Sequence, residues 1–183
     1  MLLYVNGNDI CGGAKCINNY RVAREDSRHT GSGNKSHPDN VMHSFGYYLS
    51  KGLGLGMRVE ATVKDNDAIY NETLNFIDNH LPKLKSFYTV IVIGWSPNVD
   101  SKLVEQLATK LSNLNLEFIF FNTEESVSKK LSFSNLIDLN DQQQCFLPWC
   151  RAQGYTLTED YYPGRDAHEA WARHLFHLMI ENQ

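Results

Sequence analysis

Apolar positions along the chain alternate between two periods. Runs of strand length occur at 2–5, 58–63, 87–94 and 116–121, and a less regular run occurs at 133–139. Between them, apolar residues recur at helical spacing over about 40–53, 68–80, 99–113 and 140–153, and a last helical pattern covers about 166–181. Strands that alternate with helices predict an α/β fold, a three-layer α/β/α sandwich with a mostly parallel sheet of about five strands.

Two segments refine this picture. The run YTVIVIG is apolar on both faces, as a central strand covered by helices on each side should be. The segment 25–40, EDSRHTGSGNKSHPDN, is polar and rich in Gly, Ser and Asn, which predicts a long loop over one end of the sheet. A chain of 183 residues is long enough for one sizeable core, so we expect a single domain over 1–183.

Composition and charge narrow the classes of partner. The formal net charge is −4, and no run of Lys and Arg forms a basic patch, so nucleic acid is not an expected partner. The longest apolar stretches are strand-sized, which argues against a membrane span, and a strand follows Met1 at once where a signal peptide would carry a basic segment. We therefore expect a cytoplasmic protein, with free thiols at its four cysteines, Cys11, Cys16, Cys145 and Cys150.

Four polar stretches are predicted to meet at one edge of the sheet. They are NGNDICGG after the first strand, VKDND after the second, GWSPN after the third, and EDYYPGRDAH before the last helix. In parallel α/β sheets, ligands bind at the carboxyl ends of the strands. The sequence therefore predicts the functional site at this edge.

These stretches, together with SHPDN and WCRAQGY, resemble the SGNH (GDSL-type) hydrolase superfamily, and specifically the short hydrolase-like proteins of tailed phages. The resemblance spans nearly the whole chain and implies a flavodoxin-like sheet in the order 2-1-3-4-5. It also implies an ester-hydrolysing site. In that family a serine in the first block attacks the ester, a histidine in the last block takes its proton, and a backbone amide, a glycine and an asparagine stabilise the oxyanion.

The chain departs from the family pattern at nearly every chemical position. Asp9 stands at the serine position, Tyr162 at the histidine position, and Ser96 at the position of the oxyanion asparagine. A carboxylate at position 9 would repel the negative charge of a tetrahedral intermediate. The resemblance therefore implies a catalytically degenerate protein that acts as a binding or assembly component of a phage. Its rim cleft would take a protein partner or a small ligand, in the host cytoplasm or in a virion. The further cleft residues that we predict are Asn6, Asn8, His37, Asp65, Asn66, Gly94, Trp95 and His168.

Other interpretations of the same residues stay open. Asp9 could itself be the nucleophile of an ester or phosphoester hydrolase. No cofactor is expected, but Asp9, Asp65 and Asp67 offer the oxygen ligands of a Mg²⁺ or Ca²⁺ site. Ester chemistry could also persist through Ser96 or His37, recruited from a neighbouring loop.

Several candidate residues also have structural interpretations. His37 could precede a helix that Pro38 and Asp39 initiate, and His168 could pack or cap at the start of the last helix. Tyr161 and Tyr162, with Trp95 and Trp149, could line an aromatic pocket at the same rim, or could be ordinary core and edge residues.

Overall fold

The computed structural model describes residues 1–21, 35–84, 88–155 and 157–182. Its strands are β1 (Leu2–Gly7), β2 (Gly56–Val59), β3 (Thr89–Trp95) and β4 (Glu117–Asn122). Its α-helices are α1 (Pro38–Val41), α2 (Phe45–Leu53), α3 (Asn66–Asn75), α4 (Ser101–Asn113), α5 (Phe146–Ala152) and α6 (Arg165–Glu181). A π-helix (Phe76–His80) and a 3-10 helix (Leu81–Leu84) continue α3, and a second 3-10 helix (Gln142–Gln144) precedes α5.

The four strands form one parallel sheet in the order β2-β1-β3-β4. Leu3 of β1 lies opposite Met57 of β2 on one side and Val90 of β3 on the other. All seven residues of β3 are buried, which confirms it as a central strand. The α/β class and the order of the first four strands are therefore as predicted.

Alternate residues of each strand pack into two cores, one on each face of the sheet. Leu3, Val5, Val90 and Val92 face a core that α2, α5 and α6 cover, with Phe121, Phe146 and Trp171 at its centre. Tyr4, Ile91, Ile93 and Phe120 face the other core, under α3 and α4. Full burial of an aliphatic or aromatic side chain contributes roughly 1.5–3 kcal/mol, so both faces stabilise the sheet.

The prediction of a fifth strand at 133–139 is wrong, since this segment is irregular and the sheet ends at β4. The side chain of Asn135 accepts a hydrogen bond from the Phe120 amide at 3.1 Å and donates one to the Phe120 carbonyl at 2.6 Å. One amide side chain thus satisfies the outward backbone groups of Phe120, where a fifth strand would have supplied backbone partners.

Two predicted helices are shorter than expected. The pattern over 40–53 divides into α1 and α2, and that over 140–153 into a 3-10 turn and α5. Pro148 lies in the first turn of α5, where its missing N–H costs no intrahelical bond, and it could not lie further inside a helix. The part of the predicted loop up to residue 34 lies outside the described residues.

Two further predictions concern the cysteines and the membrane. All four cysteines are free, as expected. Among the described helices, none has both the length and the apolar composition to cross a membrane.

Candidate functional site

The turn after β1 approaches its neighbours so closely that it requires glycine. Gly7 has φ +154°, and a Cβ there would lie 2.6 Å from both the Gly94 carbonyl oxygen and Cys11 Sγ. A Cβ on Gly94 itself would lie 2.2 Å from Cys11 Sγ. The chain then makes a helical turn in which the amides of Gly12 and Ala14 donate to the Asp9 carbonyl. This geometry places Asp9 just beyond the carboxyl end of the sheet.

The Asp9 carboxylate has two strong partners. Tyr162 Oη donates to Asp9 Oδ2 at 2.8 Å, and Arg21 Nε donates to the same oxygen at 2.8 Å. Asp9 is only 6% exposed, and a buried carboxylate requires such partners. The structure therefore joins Asp9 and Tyr162, which come from opposite ends of the chain, by a direct hydrogen bond.

Tyr162 is held in its protonated form. Burial raises the pKa of Tyr162, and the neighbouring Asp9 charge raises it further. Lys15 Nζ lies 5.5 Å and the Arg21 guanidinium 5.7 Å from the centre of its ring, which are cation–π distances. At neutral pH the phenol is thus a hydrogen-bond donor, and it cannot serve as the base that a histidine would supply.

A short hairpin loop presents Tyr162 to the cleft. Leu157 and Pro163 form an antiparallel bridge, the Thr158 amide donates to the Tyr162 carbonyl at 2.8 Å, and the Tyr162 amide donates to Thr158 Oγ1 at 3.1 Å. Lys15 Nζ pairs with Asp160 at 2.5 Å, which ties this loop to the segment after β1.

Asp9 and Tyr162 lie in a cleft of about 520 Å³. Glu124 also lines this cleft. Burial raises the pKa of Glu124 most, and the charges of Glu125 and Asp9 raise it further. The lining residues are Asp9, Ile10, Arg21, Glu124, Leu147, Arg151, Asp160, Tyr161 and Tyr162. Three acidic side chains are matched by the two arginines and the adjacent Lys15, so the formal charges of the cleft balance.

Four of the predicted cleft residues have structural roles beside the cleft. Asn6 Nδ2 donates to the Ile69 carbonyl and to Thr73 Oγ1, and Asn8 Nδ2 donates to Thr123 Oγ1. Asn66 accepts from the Ser96 amide and donates to the Ser96 carbonyl, while Ser96 Oγ points to the Lys64 carbonyl at 3.4 Å. These bonds tie the loops after β1, β2 and β3 together, and none of them reaches Asp9.

The two predicted histidines do not line the cleft. His37 is fully buried, stacks on Tyr20, and accepts the Asp39 amide as the N-cap of α1. His168 is also buried, and its Nδ1 accepts the Phe45 amide at 3.2 Å. Burial lowers the pKa of His168 to about 3, so it stays neutral. His37 thus caps the start of α1, and His168 joins α6 to α2. These are the structural interpretations that the sequence offered as alternatives for both residues.

The aromatic pocket forms only in part. Tyr161 and Tyr162 line the cleft, whereas Trp95 is fully buried in the core under α3 and α4. Trp149 packs against Trp171 and His174 on the other face of the sheet. Both tryptophans therefore pack against the hydrophobic core, as large aromatic side chains usually do.

The three carboxylates of the alternative metal site do not converge. Asp65 caps α3 by accepting the Ala68 amide at 2.8 Å, and Asp67 lies exposed in the first turn of that helix. Asp9 is held by Arg21 and Tyr162. Within residues 1–21, 35–84, 88–155 and 157–182, no three His, Cys, Asp or Glu side chains form a cluster suited to a metal ion.

Sequence reasoning missed the charged partners of the site. Arg21, Lys15, Glu124 and Arg151 come from three separate segments, and nothing in their local sequence distinguishes them from surface residues. One signal was available: a carboxylate in a buried turn needs a cation, and Arg21 is the first arginine after Asp9.

Comparison with solved structures identifies the fold. A family 2 carbohydrate esterase from Corynascus thermopiles (Myceliophthora fergusii), which also carries a carbohydrate-binding domain, superposes with a TM-score of 0.57 at 13% identity over 95% of this chain. A G-D-S-L family protein described as lipolytic, from Desulfitobacterium hafniense, gives 0.53 at 8% identity, covering 97% of this chain and 98% of its own. The chain has the SGNH-hydrolase fold.

A further neighbour with the SGNH-hydrolase fold is a carbohydrate esterase whose active site is described as having divergent catalytic and non-catalytic binding functions. It gives a TM-score of 0.52 at 13% identity over 98% of this chain. The chain spans 64% of the length of each of the two carbohydrate esterases. No protein-family model matches the sequence, and no curated protein matches it.

Proposed function

We propose that this chain is a catalytically degenerate protein with the SGNH-hydrolase fold, which binds a ligand in the Asp9 cleft without hydrolysing it. One observation carries the proposal: Tyr162 Oη and Arg21 Nε both donate to Asp9 Oδ2 at 2.8 Å. A carboxylate stands at the nucleophile position, and a phenol stands at the base position.

The chemistry of this group opposes acyl transfer. The serine mechanism needs a hydroxyl whose proton passes to a neighbouring base. Asp9 offers no hydroxyl, one of its oxygens already accepts two hydrogen bonds, and the raised pKa of Tyr162 keeps that side chain protonated. The negative charge on Asp9 would also destabilise the oxyanion of the intermediate.

The cleft itself favours binding of a neutral, polar ligand of the carbohydrate class. It combines aromatic and apolar walls with charged groups of both signs, so it offers hydrogen-bond donors and acceptors but no net charge to select an ion. Two of the solved structures with this fold are carbohydrate esterases. The resemblance to phage-encoded proteins supports a binding or assembly component of a phage as the setting.

The competing function is hydrolysis of an ester or phosphoester by Asp9. The observation that favours it is a further carboxylate in the cleft, Glu124, whose raised pKa suits it to supply a proton. This function requires the other carboxylate oxygen of Asp9, Oδ1, to attack the substrate while Oδ2 stays bonded to Arg21 and Tyr162.

Isothermal titration calorimetry with cellotetraose, xylotetraose and chitotetraose tests the binding proposal. We expect at least one of them to bind with a Kd below about 1 mM. Glu124→Gln should weaken that binding about tenfold, because the substitution removes a charged acceptor from the cleft wall. The matched control is Glu125→Gln, at an exposed neighbour that does not line the cleft. Absence of binding to all three oligosaccharides, or equal losses in the two variants, would contradict the proposal.

A further inference from the structure

Tyr161 adopts a backbone conformation that tyrosine normally avoids. Its φ is +64°, in the left-handed region. The Tyr161 amide donates to the Thr158 carbonyl, and the Thr158 amide donates to the Tyr162 carbonyl, so residues 159–161 form a three-residue hairpin loop. Glycine or asparagine usually takes the left-handed position of such a loop, because a Cβ there costs roughly 1–2 kcal/mol. For a bulky side chain this conformation is an outlier.

Among the residues that the structure describes, no side-chain contact compensates for this cost. The Tyr161 side chain is 71% exposed, and within the described residues it makes no hydrogen bond or ring contact. By contrast, the neighbouring Tyr162 contacts Asp9, Lys15 and Arg21. The packing of the fold therefore gives no reason for an aromatic residue at position 161.

The position of Tyr161 at the cleft explains an exposed aromatic ring there. The residue lines the Asp9 cleft together with Glu124 and Arg151, for which no ion pair within 4 Å is found among the described residues. A ligand in the cleft would meet a flat apolar ring together with a hydrogen-bond acceptor and a donor. A saccharide ring has this shape, since its C–H face is apolar and its rim carries hydroxyl groups.

We propose that Tyr161 is the aromatic residue on which a saccharide ring stacks, and that the left-handed backbone keeps its ring exposed for this contact. The inference rests on the proposed function and specifies the residue that performs it. Strained residues concentrate at ligand-binding sites, where the conformational cost is offset by function. An exposed aromatic ring at a cleft mouth is also a common anchor for ligands.

The test compares Tyr161→Gly with Tyr161→Phe in the full chain, by calorimetry with the same three tetrasaccharides and by thermal unfolding. Glycine removes both the ring and the strain. We expect the affinity to fall at least tenfold while Tm rises by about 2–4 °C. Phenylalanine keeps the ring, so affinity should stay within about threefold of wild type. The control is Asn115→Gly, a left-handed residue before β4, at the opposite end of that strand from the cleft, which should leave binding unchanged.

Each outcome separates the inference from the proposed function. If wild type binds and Tyr161→Gly binds equally well, the inference is overturned and the proposed function stands. Loss of affinity without a rise in Tm also overturns it, because the ring would then hold the loop and affect the cleft only indirectly. If wild type binds none of the saccharides, the proposed function fails and this inference fails with it, before any variant is compared.

Discussion

At the scale of single residues, Asp9 and Tyr162 hold each other in place, and Arg21 completes the group. The family pattern located Asp9 and Tyr162, because motif order in the chain reports which loops meet at the edge of a parallel sheet. Arg21 was not predictable in this way, since it reaches Asp9 from a segment without a motif. The position of such a side chain depends on how distant segments pack together, and the local sequence does not encode this packing.

The hydrogen bond from Tyr162 to Asp9 should contribute measurably to stability. Tyr162→Phe leaves a buried carboxylate with one donor fewer, so we expect the free energy of unfolding in urea to fall by about 1–3 kcal/mol. The adjacent Tyr161→Phe removes an exposed hydroxyl that makes no hydrogen bond within the described structure, and should change it by less than about 0.5 kcal/mol. Equal effects of the two substitutions would show that the contact with Asp9 does not stabilise the fold.

At the scale of elements, the predicted strands and helices were correct where burial produces a regular spacing of apolar residues. The prediction was wrong at 133–139, where a side chain takes the hydrogen bonds that a strand backbone would have made. β1, β3, β4, α4 and α6 follow clear periodicity, because each packs one or both faces against the core. The segment 133–139 is apolar enough to suggest a strand, yet Asn135 satisfies the edge of β4 through its side chain. A hydrophobic pattern cannot distinguish these two ways of covering a sheet edge.

The contact between α6 and α2 predicts a pH dependence of stability. His168 on α6 accepts the Phe45 amide at the start of α2, and burial lowers its pKa from 6.5 to about 3. Between about pH 6.5 and pH 3, His168 is therefore protonated in the unfolded chain and neutral in the folded chain. The free energy of unfolding should fall as the pH decreases, with a loss of about 2 kcal/mol from this residue at pH 5.

Urea unfolding between pH 4.5 and 7.5 measures this effect. His168→Asn supplies an acceptor near the Nδ1 position without titrating, so the fall at low pH should be smaller than in wild type. His177→Asn, at an exposed position of the same helix, should follow wild type. An unchanged pH profile in His168→Asn would show that the buried ring does not govern the acid sensitivity.

At the scale of the whole molecule, the sequence predicted the parallel α/β architecture and the edge of the sheet at which the cleft lies. It did not predict which charged side chains line that cleft. The alternation of strands and helices led to the parallel sheet, and comparison with solved structures confirms the SGNH-hydrolase fold. A shared fold does not establish a shared reaction, because the activity depends on the groups at the carboxyl edge. Here the edge carries a cleft in which Asp9 is hydrogen-bonded to Tyr162.

The initial rate of p-nitrophenyl acetate hydrolysis shows whether Asp9 hydrolyses esters. Wild type and Asp9→Ala should be compared at equal concentration and pH 7.5, with circular dichroism to verify that both are folded. We expect equal rates, close to the background given by other groups of the protein, because Asp9 has no hydroxyl to acylate and its Oδ2 is held by Tyr162 and Arg21. Multiple turnovers in wild type that disappear in Asp9→Ala would show that Asp9 takes part in ester hydrolysis and would overturn the proposed function.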